Sequence, residues 1–201
     1  MTTHLIGIDE AGRGPLAGPV SVGAVLVPID FDWTLVPGVR DSKKLSEKKR
    51  EEIFEHVQTL VQTSALRYAV ATSSASYIDT YGIVPAISRA LAEALEKLEI
   101  DPSECRVLLD GGLKAPIEYL AQETIIRGDD SEPVISLASI MAKVTRDRIM
   151  KQLSPKYPGY DFHVHKGYGT AAHRQNIQKH GLSRLHRATF CTRLPIGVNA
   201  V

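Results

Sequence analysis

Short apolar runs separated by polar turns organise the first part of the chain. Leu5-Ile6-Gly7-Ile8 reads as a strand ending at Asp9-Glu10, followed by the Gly/Pro-rich turn Ala11-Gly12-Arg13-Gly14-Pro15. Val20 to Val27 is almost continuously apolar, the composition of a strand inside a buried sheet. Leu66 to Ala71, Arg106 to Leu109 and Glu123 to Arg127 supply three further strands, the last ending at Gly128-Asp129-Asp130. Helical spacing appears between them. Ser46 is suited to cap a charged helix reaching about Val61. Residues 84–98 carry Ile87, Leu91, Leu95 and Leu98 on one stripe. Pro133 fits the first turn of a long helix with Ile140, Met141, Val144, Ile149 and Leu153 on its buried face, and Pro155 and Pro158 end it. Residues 28–45 read as loop, and a Lys/Arg/His-rich helical tail closes the chain. Strands alternating with helices predict an α/β domain without internal repeats.

Composition sharpens this picture. At 201 residues and 43% hydrophobic content the chain can bury one core, with or without a C-terminal extension. No run approaches the roughly 18 to 20 apolar residues of a membrane helix. The N-terminus leads directly into a strand pattern, so no secretory leader is expected. The two cysteines, Cys105 and Cys191, are widely separated, which points away from a disulfide scaffold or zinc site and toward a reducing cytoplasm. The formal charge of +1 hides an asymmetry: net −8 over residues 1–140 and net +9 over 141–201, where five of the seven histidines also fall. A solvated basic helix face is the plain reading. The functional one is a footprint for a polyanion beside an acid-rich site.

Acids stand at three strand ends: Asp9-Glu10, Asp110 and Asp129-Asp130. One such acid is usually a solvated turn; three at separate strand ends are hard to explain by packing. Four carboxylates with no histidine or cysteine among them form a hard oxygen-donor set, suited to Mg²⁺ or Mn²⁺ and unsuited to zinc or copper. Two such ions about 3.5 to 4 Å apart can clamp an in-line phosphoryl displacement. Asp9 and Glu10 are adjacent and face opposite sides of a straight strand. Both reach one site only if the strand ends and bends there, which Ala11-Gly12 permits. Gly12-Arg13-Gly14 offers backbone that a ligand can approach closely and one guanidinium able to fork a phosphate, but lacks the Gly-Lys-Ser/Thr ending of a P-loop. Lys43, Lys44, Lys143, Arg146, Lys166 and Arg187 are candidates for backbone phosphates, and Tyr168 for stacking on a sugar or base. Each alone is more often a surface residue.

Gly7-Ile8-Asp9-Glu10-Ala11-Gly12-Arg13-Gly14 with Pro15-Leu16-Ala17-Gly18-Pro19-Val20 resembles the opening signature of ribonuclease HII. So do Asp41-Ser42-Lys43-Lys44-Leu45, Leu109-Asp110-Gly111, Ala138-Ser139-Ile140-Met141-Ala142-Lys143-Val144-Thr145-Arg146-Asp147, His165-Lys166-Gly167-Tyr168-Gly169-Thr170 and His186-Arg187-Ala188-Thr189-Phe190. These blocks follow the family order across residues 7 to 190. The resemblance implies a ribonuclease H-like mixed five-stranded sheet flanked by helices, with a C-terminal helical extension. It implies a catalytic core over residues 1–155 and a basic substrate-binding segment over 156–201, forming one structural unit. It also implies a four-carboxylate site binding two Mg²⁺ or Mn²⁺ ions. Three members are Asp9, Glu10 and Asp110; the fourth, ten residues before Ser139, is Asp129, with Asp130 in reserve. Gly12, Arg13 and Gly14 would read the 2′-hydroxyl beside the scissile bond, and Tyr168 would sense an RNA–DNA junction. The expected substrates are RNA–DNA hybrid and duplex DNA with embedded ribonucleotides, cut 5′ of the ribonucleotide to leave 3′-hydroxyl and 5′-phosphate ends. A cytoplasmic monomer without an obligate protein partner is expected.

Small departures touch Leu137, where the family more often has a small residue, and the C-terminus, which shows no clamp-binding motif. Three rivals remain. Ribonuclease HIII has the same chemistry but an extra N-terminal domain, for which the short stretch before the first strand leaves no room. A non-catalytic hybrid-binding module should have lost an acid. An actin-like phosphotransferase should show duplicated halves with glycine-rich phosphate loops.

Overall fold

The computed structural model describes residues 2–39 and 45–196. In chain order its strands are β1 (His4–Ala11), β2 (Val20–Pro28), β3 (Arg67–Ser73), β4 (Cys105–Asp110) and β5 (Gln122–Ile125). Its helices are α1 (Glu47–Gln62), α2 (Ala75–Tyr81), α3 (Ile83–Glu96), α4 (Gly128–Ser131), α5 (Pro133–Leu153), α6 (Phe162–His165) and α7 (Ala171–His180). The strands form one mixed sheet in the order β3-β2-β1-β4-β5. β1–β2 and β2–β3 are antiparallel, whereas β1–β4 and β4–β5 are parallel.

Both faces of the sheet are covered, which is why β2 is buried along nearly its whole length. One face packs Ile6, Ile8, Val22 and Val107 against Ala86, Ala90, Leu91 and Leu95 of α3. The other packs Val25, Val27 and Leu108 against α1 and against Ile135, Ala138 and Met141 of α5. α5 lies on the sheet at backbone contact distance. A Cβ on Gly7 would sit 2.3 Å from the Val134 carbonyl, and one on Gly23 would sit 2.4 Å from the Ala138 oxygen. Only glycine permits that approach. Capping follows the expected chemistry at α1, where the Ser46 side chain accepts from the Lys49 N–H at 3.2 Å.

The structure corrects several boundaries. β1 continues through both acids to Ala11, paired with β2, instead of ending at Asp9-Glu10. β5 stops at Ile125, so Asp129 and Asp130 stand in the one-turn helix α4 and not at a strand end. α2, capped by Ser74, falls where no helix is predicted. On α5 the buried face runs on through Met150, whereas Ile149 and Leu153 are only half-buried. Lys43 and Lys44 lie outside the described residues.

Residues after α5 fold back onto the turn that follows β1. Ala17, Met150, Tyr160 and Phe162 form a small third core. Backbone hydrogen bonds tie Leu16 N–H to Gly167 O (2.9 Å), Gly18 N–H to Leu185 O (2.7 Å) and Arg187 N–H to Leu16 O (2.8 Å). His165, His173 and His186 pack with Tyr160 and Phe162, with His173 Nε2 and His186 Nε2 3.1 Å apart. Burial holds His173 and His186 down to about 4. These histidines are neutral core residues near neutral pH and add no positive charge there.

Candidate active site

The parallel pairing of β1 with β4 stops at Ile8 opposite Leu109. Just past that register the two strands deliver their acids: Asp9 and Glu10 from β1, Asp110 from β4. Asp9 is buried and Glu10, on the opposite face of the strand, is half-buried. Asp9 Oδ1 accepts the Glu10 N–H at 2.7 Å. Burial pushes the Asp9 carboxyl up to about 8; the nearby charges of Asp110 and Glu10 push the same way, while a hydrogen bond with Ser139 of α5 opposes them. Three carboxyls thus share a low-dielectric corner in which they repel one another.

Asp129 arrives from α4, fully buried, and its N–H points at Asp110 Oδ1 at 3.4 Å. Gly128 allows that fit, since a Cβ there would lie 2.5 Å from Ile135 Cδ1. Asp130 is exposed. Glu10 leans to the other side, its Oε1 3.0 Å from Arg13 Nη1. Among the described residues, no three His, Cys, Asp or Glu side chains stand in an arrangement that could hold an ion as placed.

Gly12 adopts φ +90°, and the space a Cβ would take is filled by Arg146, whose Nε would be 2.0 Å away. Gly14 faces open space. The turn is held by two buried arginines. Arg146 donates from Nε to Pro19 O (2.9 Å), from Nη1 to Lys166 O (2.9 Å) and from Nη2 to Ala17 O (3.0 Å). Arg187 donates from Nε to Gly18 O (3.0 Å), from Nη1 to Arg13 O (2.9 Å) and from Nη2 to Gly12 O (2.6 Å). Burial lowers Arg187 to about 10, which leaves it cationic at neutral pH. This corrects the expectation that Arg146 and Arg187 meet phosphates, because both are buried and turned to backbone carbonyls. Lys166 needs the same correction: its Nζ donates to His163 O at 2.7 Å and its side chain is 10% exposed.

Tyr168, 40% exposed, presents its ring beside Lys143 Nζ (5.1 Å) and Arg146 Cζ (5.6 Å). Lys143 also pairs with Asp147 at 2.8 Å. A cleft of about 360 Å³ joins Glu10, Ala11, Gly12, Arg13, Arg50, Ser139, Ile140, Lys143 and Tyr168. The structure therefore brings together Glu10, the Gly12-Arg13 turn, Lys143 and Tyr168. Sequence reasoning missed Arg50 and the contact of Ser139 with Asp9. Arg50 is the third cation of the run Lys48-Lys49-Arg50, and nothing in the pattern separates it from its neighbours. Ser139 carried one signal, a small polar residue one turn before Lys143 on α5.

The family profile of ribonuclease HII matches residues 6–193. Ribonuclease HII of Endomicrobium trichonymphae is 45% identical over 184 residues, covering 92% of this chain and 83% of that protein. The ribonuclease HII solved in complex with PCNA from Archaeoglobus fulgidus superposes with a TM-score of 0.75 at 25% identity, covering 94% of each chain. Bst-RNase HIII, solved in complex with Mn²⁺, shares the fold at 18% identity, with a TM-score of 0.67 over 96% of this chain and 66% of that one. A match across nearly all of β1 to α7, with the acids of β1 and β4 at one sheet end beside the glycine turn, makes this chain a member of the ribonuclease HII family, a ribonuclease H endonuclease.

Proposed function

We propose that this protein hydrolyses the RNA strand of RNA–DNA hybrids and cuts duplex DNA 5′ of an embedded ribonucleotide, leaving 3′-hydroxyl and 5′-phosphate ends. The observation that carries the reading is spatial: Glu10, whose charge acts on Asp9 beside Asp110, and Ser139, which hydrogen-bonds Asp9, line the same cleft as Gly12-Arg13 and Tyr168. A site for phosphoryl chemistry and a surface able to recognise a sugar thus share one wall. Gly14 faces open space and suits close approach of a 2′-hydroxyl, the group that distinguishes RNA from DNA. Tyr168 offers a partly exposed ring to a neighbouring sugar.

The donor set fits Mg²⁺ or Mn²⁺. It is all carboxylate oxygen, and a dication would relieve the repulsion that raises Asp9. Asp9, Glu10, Asp110 and Asp129 would hold it, once Glu10 exchanges Arg13 for the ion. Burial of Asp129 against Asp110, with Asp130 exposed, supports Asp129 as the fourth ligand. When bound, such an ion polarises the phosphoryl group and activates water. The protein's own part is to fix the carboxylates, through Ser139 and strand pairing, and to orient the sugar, through Gly12 to Gly14. The arginine-braced C-terminal segment, residues 156–196 of those described, would hold the reading surface in place.

The test is cleavage of a duplex with one embedded ribonucleotide, with and without Mg²⁺, with the new ends mapped. A cut 5′ of the ribonucleotide that needs metal is expected. Activity only on runs of ribonucleotides, or full activity in EDTA, would overturn the reading.

A further inference from the structure

The positive excess of the tail thins out when each cation is followed to its partner. Arg146 and Arg187 face backbone carbonyls, Lys143 pairs with Asp147, Arg148 with Glu51 and Glu55, and Lys151 with Glu47. Lys156, Arg174, Lys179, Arg184 and Arg193 are exposed and, among the described residues, form no ion pair; of these, Lys179 and Arg184 share one cleft. Together with His180, Ser183, Tyr157 and Tyr160 they line a second cleft of about 660 Å³ that shares no residue with the acid-bearing one. Its wall is rigid: Tyr160 stacks on Phe162 at 5.4 Å and donates its hydroxyl proton to Gly181 O at 3.0 Å. Unpaired cations over aromatic walls form the chemistry that binds a phosphodiester backbone.

Helix α7 links the two clefts. It begins after Thr170, two residues beyond Tyr168, and its ten residues end at His180. At 1.5 Å per residue that is about 15 Å. A duplex advances about 3.4 Å per base pair, so a helix of this length equals roughly four to five pairs of duplex. We infer that the Lys179–Arg184 cleft is a second backbone-phosphate site, gripping the flank of a duplex whose cleavable residue lies beside Tyr168. The inference rests on the proposed substrate.

Three duplexes test it, each with one ribonucleotide, flanked by about 12 base pairs on both sides or shortened to about 3 on one side or the other. Binding is measured by fluorescence anisotropy across a salt series for wild type and for Lys179→Glu/Arg184→Glu. On the full duplex the double variant should bind about tenfold more weakly near 0.1 M salt, with a salt slope shallower by about 2. On one shortened duplex, the one that no longer reaches the cleft, its deficit should fall below about threefold. Lys114→Glu/Arg67→Glu makes the same charge change at exposed positions elsewhere and should leave the slope unchanged. Lys179→Gln/Arg184→Gln gives the same readout if the glutamates disturb folding. Wild-type affinity on the full duplex, or an equal deficit on all three duplexes, would overturn the cleft assignment alone. A wild-type protein that binds none of the duplexes would overturn the substrate reading and the cleft with it.

Discussion

The two walls of the acid-bearing cleft are built by different means. Asp9, Glu10 and Asp110 are carried on regular backbone, at the end of neighbouring strands whose register decides their positions. The Gly12–Gly14 turn and Tyr168 sit on irregular backbone, which arginines brace from 174 and 175 residues away at the turn and from 20 residues away at Lys166. A strand ladder fixes its residues by local repetition; a loop needs distant donors to satisfy its carbonyls. Loss of a carboxylate should therefore spare the fold, whereas loss of an arginine should damage it.

The largest effect tests the first half of that contrast. Asp9→Asn and Asp110→Asn should each lower kcat/KM by several orders of magnitude while circular dichroism stays native. Asp9 adds a pH signature. Its folded pKa, about 8, stands above the unfolded value of about 3.9, so the folded state binds more protons between them. Its contribution to stability is thus complete at low pH and is lost as pH rises from about 4 to about 8. Measured in chelator, Tm of Asp9→Asn should exceed wild type by a margin that widens toward pH 8. Parallel Tm curves would show that Asp9 is not held in the strained corner described.

Arg187→Ala breaks the second half. Three carbonyls would lose their donor, and removing one partner of a buried charged network costs about 3 to 5 kcal/mol. Arg187→Lys should restore little, because a point charge cannot span the planar fork. Chemical denaturation measures both. Near-native stability with weakened, less salt-sensitive binding would return Arg187 to the role of a phosphate contact.

Smaller effects sharpen the reading surface. Tyr168→Ala should lose about tenfold in kcat/KM on a single embedded ribonucleotide, and less on continuous hybrid. An equal loss on both substrates would make Tyr168 structural. Lys143→Ala should weaken every substrate alike and lower the salt slope by about 1, whereas Lys166→Ala should leave the slope unchanged. A slope change with Lys166 would show that its side chain leaves the His163 carbonyl to meet substrate.

The contrast also explains what could be read from residues alone. Sheet order aside, the strands and the longer helices follow period and capping, and both Asp9-Glu10 and Asp110 are visible as acids after apolar runs. The arginines were not legible in the same way. A cation that will be buried against carbonyls has the same letter and spacing as one that meets phosphate, and only the folded chain shows Arg146 in the space beside Gly12. Asp129 was expected at a strand end and stands in α4 instead. Its helix α4 is one turn long, too short to leave a periodic signal. The charge asymmetry of the tail was real but its meaning shifted: part of it is internal bracing, and the exposed remainder includes Lys179 and Arg184 in one cleft.

The contact of α5 with the sheet has a consequence for how this site can change over time. Gly7 and Gly23 let helix backbone touch strand backbone, so the separation between Ser139 and Asp9 rests on peptide groups, which every sequence shares. Core side chains around it can drift in size, and cavities can open or fill, without moving the spacing. Adjustment by small steps is closed off as well. The first methyl group added at either glycine would wedge helix and sheet apart by a whole atom, so the geometry tolerates wide variation nearby and none at those two points.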